Sequence, residues 1–154
     1  MANPELIPSR QSVRRGRVMV ADDDDDCRRL VSAVLAHDGY DVLAVPDGSS
    51  LLELLASSSE SASAPDVIVS DVCMPGRSGL DVLARLHELG IRAPMVLMTA
   101  FPDHCSQAGG RELGAVAVLE KPFELDDLRM IVLNLSSRRT RAGEPSAPHG
   151  ETAT

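Results

Sequence analysis

An α/β fold, a doubly wound parallel sheet of five strands with five helices, is what this sequence predicts, and three observations predict it. Five short runs rich in β-branched and aliphatic residues recur through the interior: Arg17–Ala21, Asp41–Val45, Asp66–Ser70, Pro94–Met98 and Val116–Leu119. Between them lie stretches with apolar residues at three- and four-residue spacing, the period of a helix with one buried face. Finally, the polar residues of chemical interest stand where the apolar runs stop, at the carboxyl ends where such sheets carry their working groups.

Taken in order, the first helical stretch is marked by Leu30, Val31, Val34 and Leu35, the second by Leu51, Leu52, Leu54 and Leu55, and the third by Leu80, Val82, Leu83 and Leu86. The fourth, around His104–Leu113, is weakened by Gly109 and Gly110, each costing about 1 kcal/mol relative to alanine, and a mobile element is expected there. The fifth carries a stripe of Leu125, Leu128, Ile131, Val132 and Leu135. Strands alternating with helices imply right-handed crossovers that cover both faces of the sheet. The ends read differently: residues 1–16 and 138–154 are rich in Pro, Ser, Thr, Gly and Arg without an apolar period, and disordered tails are expected around one domain at 17–137.

A chain of 154 residues has room for one ordinary domain. With only 2% aromatic residues, its core must be built from aliphatic side chains and methionine. No apolar run is long enough to cross a bilayer and Met1–Gly16 lacks the apolar segment of a signal peptide, so a cytoplasmic protein is expected, without a membrane partner. Cys27, Cys73 and Cys105 have neither disulfide nor zinc spacing and are expected to be reduced, mostly buried thiols. The net charge of −8 is concentrated in the middle, because Arg10, Arg14, Arg15 and Arg17 lie before Val18 and Arg138, Arg139 and Arg141 after Leu135. An acidic body repels nucleic acid and suits a cation site.

The first strand ends in Asp22–Asp26, the third in Asp71, the fourth in Thr99 and the fifth in Lys121, whereas the second offers only Pro46 and Asp47. In the flavodoxin-like strand order 2-1-3-4-5, the four chemically equipped strands are neighbours and their ends converge. Lys121 is the sole lysine among 15 basic residues, and it stands directly before Pro122. Pro122 steers the preceding residue toward extended geometry.

Here the sequence resembles the receiver domain of two-component response regulators. The matching stretches are V-M-V-A-D-D, D-V-I-V-S-D-V-C-M-P-G-R-S-G, P-M-V-L-M-T-A and V-L-E-K-P-F, in order, across about Arg17–Ser137. The resemblance implies that Asp71 is the phosphoacceptor, Asp22 and Asp23 the acidic pair, Thr99 the hydroxyl switch and Lys121 the lysine beside the phosphoryl group. The chemistry needs these types. A carboxylate nucleophile and an incoming phosphate are both anionic, so a divalent cation must bridge them. Mg²⁺ prefers oxygen ligands and retains water, which fits Asp23, Asp71, the backbone carbonyl of Cys73 and Asp22, directly or through water. Lys121 would neutralise one phosphoryl oxygen as a point charge, and the Thr99 hydroxyl would donate to another. Met74, Pro75, Gly76 and Gly79 form the turn that presents Cys73. Asp24, Asp25 and Asp26 need no more than an N-terminal helical turn. A calcium-binding EF-hand loop is disfavoured, because no glutamate occupies its twelfth position.

Two departures qualify the resemblance. Receivers usually carry Tyr or Phe three residues before the lysine, where this chain has Val118, so the expected alternatives are output through loop and fourth-helix rearrangement, output through Phe101, or output only weakly coupled to phosphorylation. Cys73 and Phe101, two residues past Asp71 and Thr99, are poor at orienting water, and slow self-dephosphorylation follows. The expected partners are a histidine kinase or histidine phosphotransfer protein as donor and a downstream protein as reader. No DNA-binding domain is expected, since few residues follow Ser136. The chain is not expected to be an enzyme beyond its own phosphotransfer. The rivals are a pseudo-receiver that binds partners without phosphorylation and an aspartyl-phosphate phosphohydrolase; the latter wants a second carboxylate where Cys73 stands.

Overall fold

The computed structural model describes residues 15–58, 64–100, 112 and 114–143, with side chains as far as Arg138. The elements follow as β1 (Arg17–Ala21), α1 (Asp25–His37), β2 (Asp41–Val45), α2 (Gly48–Ser58), β3 (Val67–Asp71), α3 (Gly79–Glu88), β4 (Met95–Thr99), β5 (Ala117–Glu120) and a C-terminal helix labelled α4 (Leu125–Gly143). The fourth predicted helix, with Gly109 and Gly110, lies outside the described residues except for Glu112, as do Phe101 and Cys105. The C-terminal helix continues through Gly143, past the expected boundary at Ser137.

All strands pair in parallel, in the order β2-β1-β3-β4-β5. β3 and β4 are buried at every position, which is why they read as unbroken apolar runs rather than alternating ones. Side chains still alternate between faces. Met19, Ala21, Ile68 and Leu97 join Leu51, Leu55, Val82, Leu83 and Leu86 of α2 and α3 in one core layer. Val18, Val20, Val69 and Met98 join Val31 and Leu35 of α1 and Leu128 and Val132 of α4 in the other. Each large aliphatic side chain so buried contributes roughly 1.5–3 kcal/mol before entropy is counted.

Three strands begin one residue later than predicted. Pro94 has no N–H to donate and enters the ladder only through its carbonyl, which accepts from Ile68. Asp66 donates its N–H to the Arg17 carbonyl at 2.8 Å, but the Arg17 N–H is answered by the Asp66 side chain, Oδ2 accepting at 2.8 Å, rather than by a backbone carbonyl. Val116 is half exposed at the sheet edge. The shift makes Asp71 and Thr99 the last residues of their strands.

Local devices set where the helices start and stop. Asp24 caps α1, its carboxylate accepting from the N–H groups of Asp26 and Cys27. Ser78 and Asp81 form a reciprocal capping box on α3. Gly39 follows α1 at φ +101°, a left-handed conformation that costs glycine nothing. Arg129 of α4 grips Asp38 at the end of α1 through two 2.8 Å bonds, and the Tyr40 and Ser136 hydroxyls meet at 3.1 Å inside the same face. Burial opposes ionisation at Asp38 only weakly against the hydrogen bond from Arg129, the largest influence, which holds its carboxyl below the usual range.

The close approach that matters most for the site is at Gly79. A Cβ there would lie 2.4 Å from the Asp71 carbonyl oxygen, so only glycine lets α3 start against the tip of β3. Gly79→Ala is expected to cost about 1–3 kcal/mol through overpacking. A urea midpoint that falls at unchanged slope checks this.

Candidate functional site

Asp22 follows β1 directly and Asp71 ends β3, the neighbouring strand, so their side chains emerge side by side. Asp22 is fully buried and Asp71 nearly so, while Asp23 is exposed. Carboxylate oxygens of Asp22, Asp23 and Asp71 lie within 4.8 Å of one another. Two strands away, Lys121 enters the pocket just past β5: its N–H donates to the Thr99 carbonyl at 2.7 Å, which extends the β4–β5 pairing by one residue. Its Nζ donates to Asp22 Oδ2 at 2.9 Å and to Asp71 Oδ2 at 3.2 Å. The Lys121–Pro122 peptide is cis.

Each acid is held by more than the lysine. The Asp22 N–H donates to the Val45 carbonyl, so the end of β2, which offered no chemistry of its own, braces the acid. Asp22 Oδ1 accepts from the Asp24 N–H at 2.9 Å, and the Cys27 thiol is hydrogen-bonded to the same carboxylate. Asp71 Oδ1 accepts from the Cys73 N–H at 3.3 Å. The register opposes Asp71 to Met98, which sets Thr99 one residue beyond on the adjacent strand, where it is fully buried.

These surroundings push the two buried acids in opposite directions. At Asp22, burial favours the neutral form, but hydrogen bonds from Cys27, the Asp24 N–H and Lys121, together with the charge of Lys121, outweigh it and hold the carboxyl below its ordinary value. At Asp71 burial dominates and the Asp22 charge adds to it; against the pull of Lys121 they raise the carboxyl to about 6. Burial works against the Lys121 charge, yet Asp22 and Asp71 overcome it and raise its pKa further. The Cys27 thiol is pushed up to about 11, by burial first and then by Asp22, so it is an inert donor.

The structure thus brings Asp22, Asp23, Asp71, Lys121 and the Cys73 backbone together, with Thr99 at the adjoining strand end. Two expectations about cysteine are corrected: Cys73 is exposed, since it lies beyond the strand in the following loop, and Cys27 is only partly buried. Cys27 and Arg28 also border the site, though no motif in the sequence marks them. Arg28 pairs with Asp25 across a helical i, i+3 spacing that is visible in the sequence, but its bond to the Asp22 carbonyl is not.

A doubly wound sheet with acids at the ends of β1 and β3 and a lysine at the end of β5 defines a class of acidic, lysine-bridged pockets. The comparisons make the class specific. The profile of the response regulator receiver domain matches residues 18–133, and this chain belongs to that family. It is 32% identical over 133 residues to the DNA-binding transcriptional regulator NtrC of Escherichia coli, covering 86% of this chain and 27% of that protein. It is 35% identical over 134 residues to the response regulator MprA of Mycolicibacterium vanbaalenii, covering 85% of this chain and 56% of that one. Among solved structures, the receiver domain of the Francisella response regulator 1452 superposes with a TM-score of 0.73 at 29% identity, covering 80% of this chain and 98% of that one. The chemotaxis response regulator CheY4 of Vibrio cholerae superposes with a TM-score of 0.66 at 27% identity, covering 77% and 97%. The chain spans as little as about a quarter of the length of the curated relatives it matches.

Removing the ammonium strands two buried acids. Lys121→Met is expected to cost about 3 kcal/mol, the low end for breaking a buried pair because Lys121 keeps some contact with water. Adding Asp22→Asn should recover part of the loss. Urea unfolding of the two variants checks both signs; a double variant no more stable than the single one would show that the ammonium does not offset the Asp22 charge.

Proposed function

We propose that this chain is a phosphorelay receiver that accepts a phosphoryl group on Asp71 from a phosphohistidine of a histidine kinase or phosphotransfer protein, in a reaction that requires Mg²⁺, and that it acts in the cytoplasm. The observation that carries this reading is the Lys121 ammonium set between Asp22 and Asp71, with Asp23 at the open side of the same cluster.

The donor set fits a hard divalent cation. Three carboxylates face one ammonium, all the ligands are oxygens, and the exposed Asp23 leaves room for the waters that Mg²⁺ retains. Asp23, Asp71 and the Cys73 carbonyl would hold the ion, with the fully buried Asp22 contributing directly or through water. When bound, the cation offsets the negative charge shared by the carboxylate and the phosphoryl oxygens.

The protein groups do the rest. An Asp71 oxygen forms the new bond to phosphorus as the phosphorus–nitrogen bond of the donor breaks and its electrons return to the imidazole. Lys121 exchanges part of its contact with Asp71 for a phosphoryl oxygen, and the Thr99 hydroxyl donates to another. Cys73 offers no carboxylate to activate water, so the acyl phosphate persists and the chain is a switch rather than a hydrolase. Beside Lys121, an apolar groove of about 530 Å³ lined by Cys27, Leu30, Val31, Pro122, Phe123 and Leu125 gives the donor protein a place to seat. Val118 supports a second reading: it packs into the core layer beneath α2 and α3, where family members usually place the switch ring, so a pseudo-receiver that only binds partners is the alternative.

Two outcomes are expected. Incubation with acetyl phosphate and Mg²⁺ should add one phosphate by intact mass, and the gain should vanish with a chelator or in Asp71→Asn; an unmodified wild type would leave the pseudo-receiver reading. The purified phosphoprotein should lose its label slowly, and a half-life of seconds, followed by acid-quenched mass spectrometry, would refute the assignment of Cys73 as a poor partner for water.

A further inference from the structure

The geometry points to Arg28 as the positioning residue for the cation ligand Asp23, a role that rests on the phosphoacceptor reading. Arg28 lies in the first turns of α1, with its side chain 18% exposed. Its Nη1 donates to the Asp22 backbone carbonyl at 2.9 Å, while Nη2 is tied to the Asp25 carboxylate. Its own N–H donates to the Asp24 carbonyl at 2.9 Å as the first bond of the helix. One guanidinium therefore locks the loop between β1 and α1 from the helix side.

The consequence falls on Asp23. The Asp22 carbonyl and the Asp23 N–H belong to one rigid peptide plane, so fixing the carbonyl fixes the direction in which the chain enters Asp23. Asp22 is braced on every side, by Val45, Lys121 and Asp24. Among the described residues, by contrast, none donates to the Asp23 carboxylate, which is exposed. The backbone sets its position, and Arg28 sets that backbone. Arginine suits the task because its planar fork holds two donors at a fixed spacing and direction, whereas a lysine ammonium is a single point from which the donors radiate.

A merely electrostatic role predicts the opposite effect, and this makes the assignment testable. A guanidinium near a dication repels it, so if Arg28 acted only as a charge, its removal would tighten Mg²⁺ binding. If it positions Asp23, removal loosens binding despite the charge gained. The test is calorimetric titration of the full chain with Mg²⁺ alone. Arg28→Ala is expected to raise the dissociation constant about ten-fold, the scale of losing an outer-shell partner of a metal ligand. Arg28→Lys, which keeps the charge and one donor, should fall between Arg28→Ala and wild type and guards against simple misfolding, with circular dichroism confirming the fold. Asp25→Asn, which frees the other arm of the fork, should stay within about two-fold of wild type by the same comparison. Unchanged or tighter binding in Arg28→Ala, beside a wild type whose binding is abolished by Asp23→Asn, overturns the role of Arg28 alone. A wild type that takes up no Mg²⁺ overturns the phosphoacceptor reading and this role with it.

Discussion

The rest of the structure depends on one ammonium between two buried carboxylates. Burying either acid without compensation would cost several kcal/mol, and burying both side by side adds their repulsion. Lys121 makes the arrangement tolerable by donating to one oxygen of each acid. The same contact leaves the acids unequal. Asp22, with two 2.9 Å bonds and the Cys27 thiol, is held in its charged form, whereas burial pushes Asp71, whose bonds are longer at 3.2 and 3.3 Å, toward neutrality. Under the proposed function the less satisfied acid is the nucleophile, and an arriving cation would relieve its poor solvation.

The pocket is assembled by sheet topology and trimmed by small local devices. Parallel order places the tips of β1, β3, β4 and β5 on one edge, and the buried layers on either face keep those tips from shifting. At the edge itself, glycine at position 79 lets α3 begin against the Asp71 carbonyl, and Gly48 does the same for α2 against the Arg77 carbonyl, where a Cβ would come within 2.4 Å. On the other side Asp24 starts α1 and Arg28 ties the acidic loop to it. Several of the five consecutive aspartates thus have distinct duties: Asp22 sits within the pocket, Asp23 at its mouth, Asp24 on the helix cap and Asp25 on Arg28.

Signal output faces a constraint set by Val118. A valine in a packed layer has no large alternative rotamer to move between, so this strand offers no ring to swing inward. Under the proposed function, and among the described residues, the apolar groove between α1 and the start of α4 is one surface that could carry a response. Among the described residues no helix is long and apolar enough to cross a membrane.

Read alone, the sequence determined the strand pattern and, through its alternation with helices, a parallel doubly wound sheet; the order 2-1-3-4-5 came with the flavodoxin-like arrangement, and Asp22, Asp23, Asp71, Thr99 and Lys121 stood out as the polar residues at strand ends. These are legible because burial on both faces writes unbroken apolar runs, and because polar groups interrupt those runs where strands end. Tertiary structure alone decided what no local pattern encodes: that Lys121 spans both buried acids, that the Asp22 carbonyl belongs to Arg28, that Gly79 is needed by Asp71, and that Cys73 faces solvent. It also moved three strand starts by one residue, at a proline without an N–H, an aspartate whose carboxylate answers the Arg17 N–H, and an exposed edge valine. The reason is common to all of them. Periodicity reports which face of an element is buried, whereas a hydrogen bond between distant residues depends on where two chain segments come to rest, and that is fixed only when the layers pack.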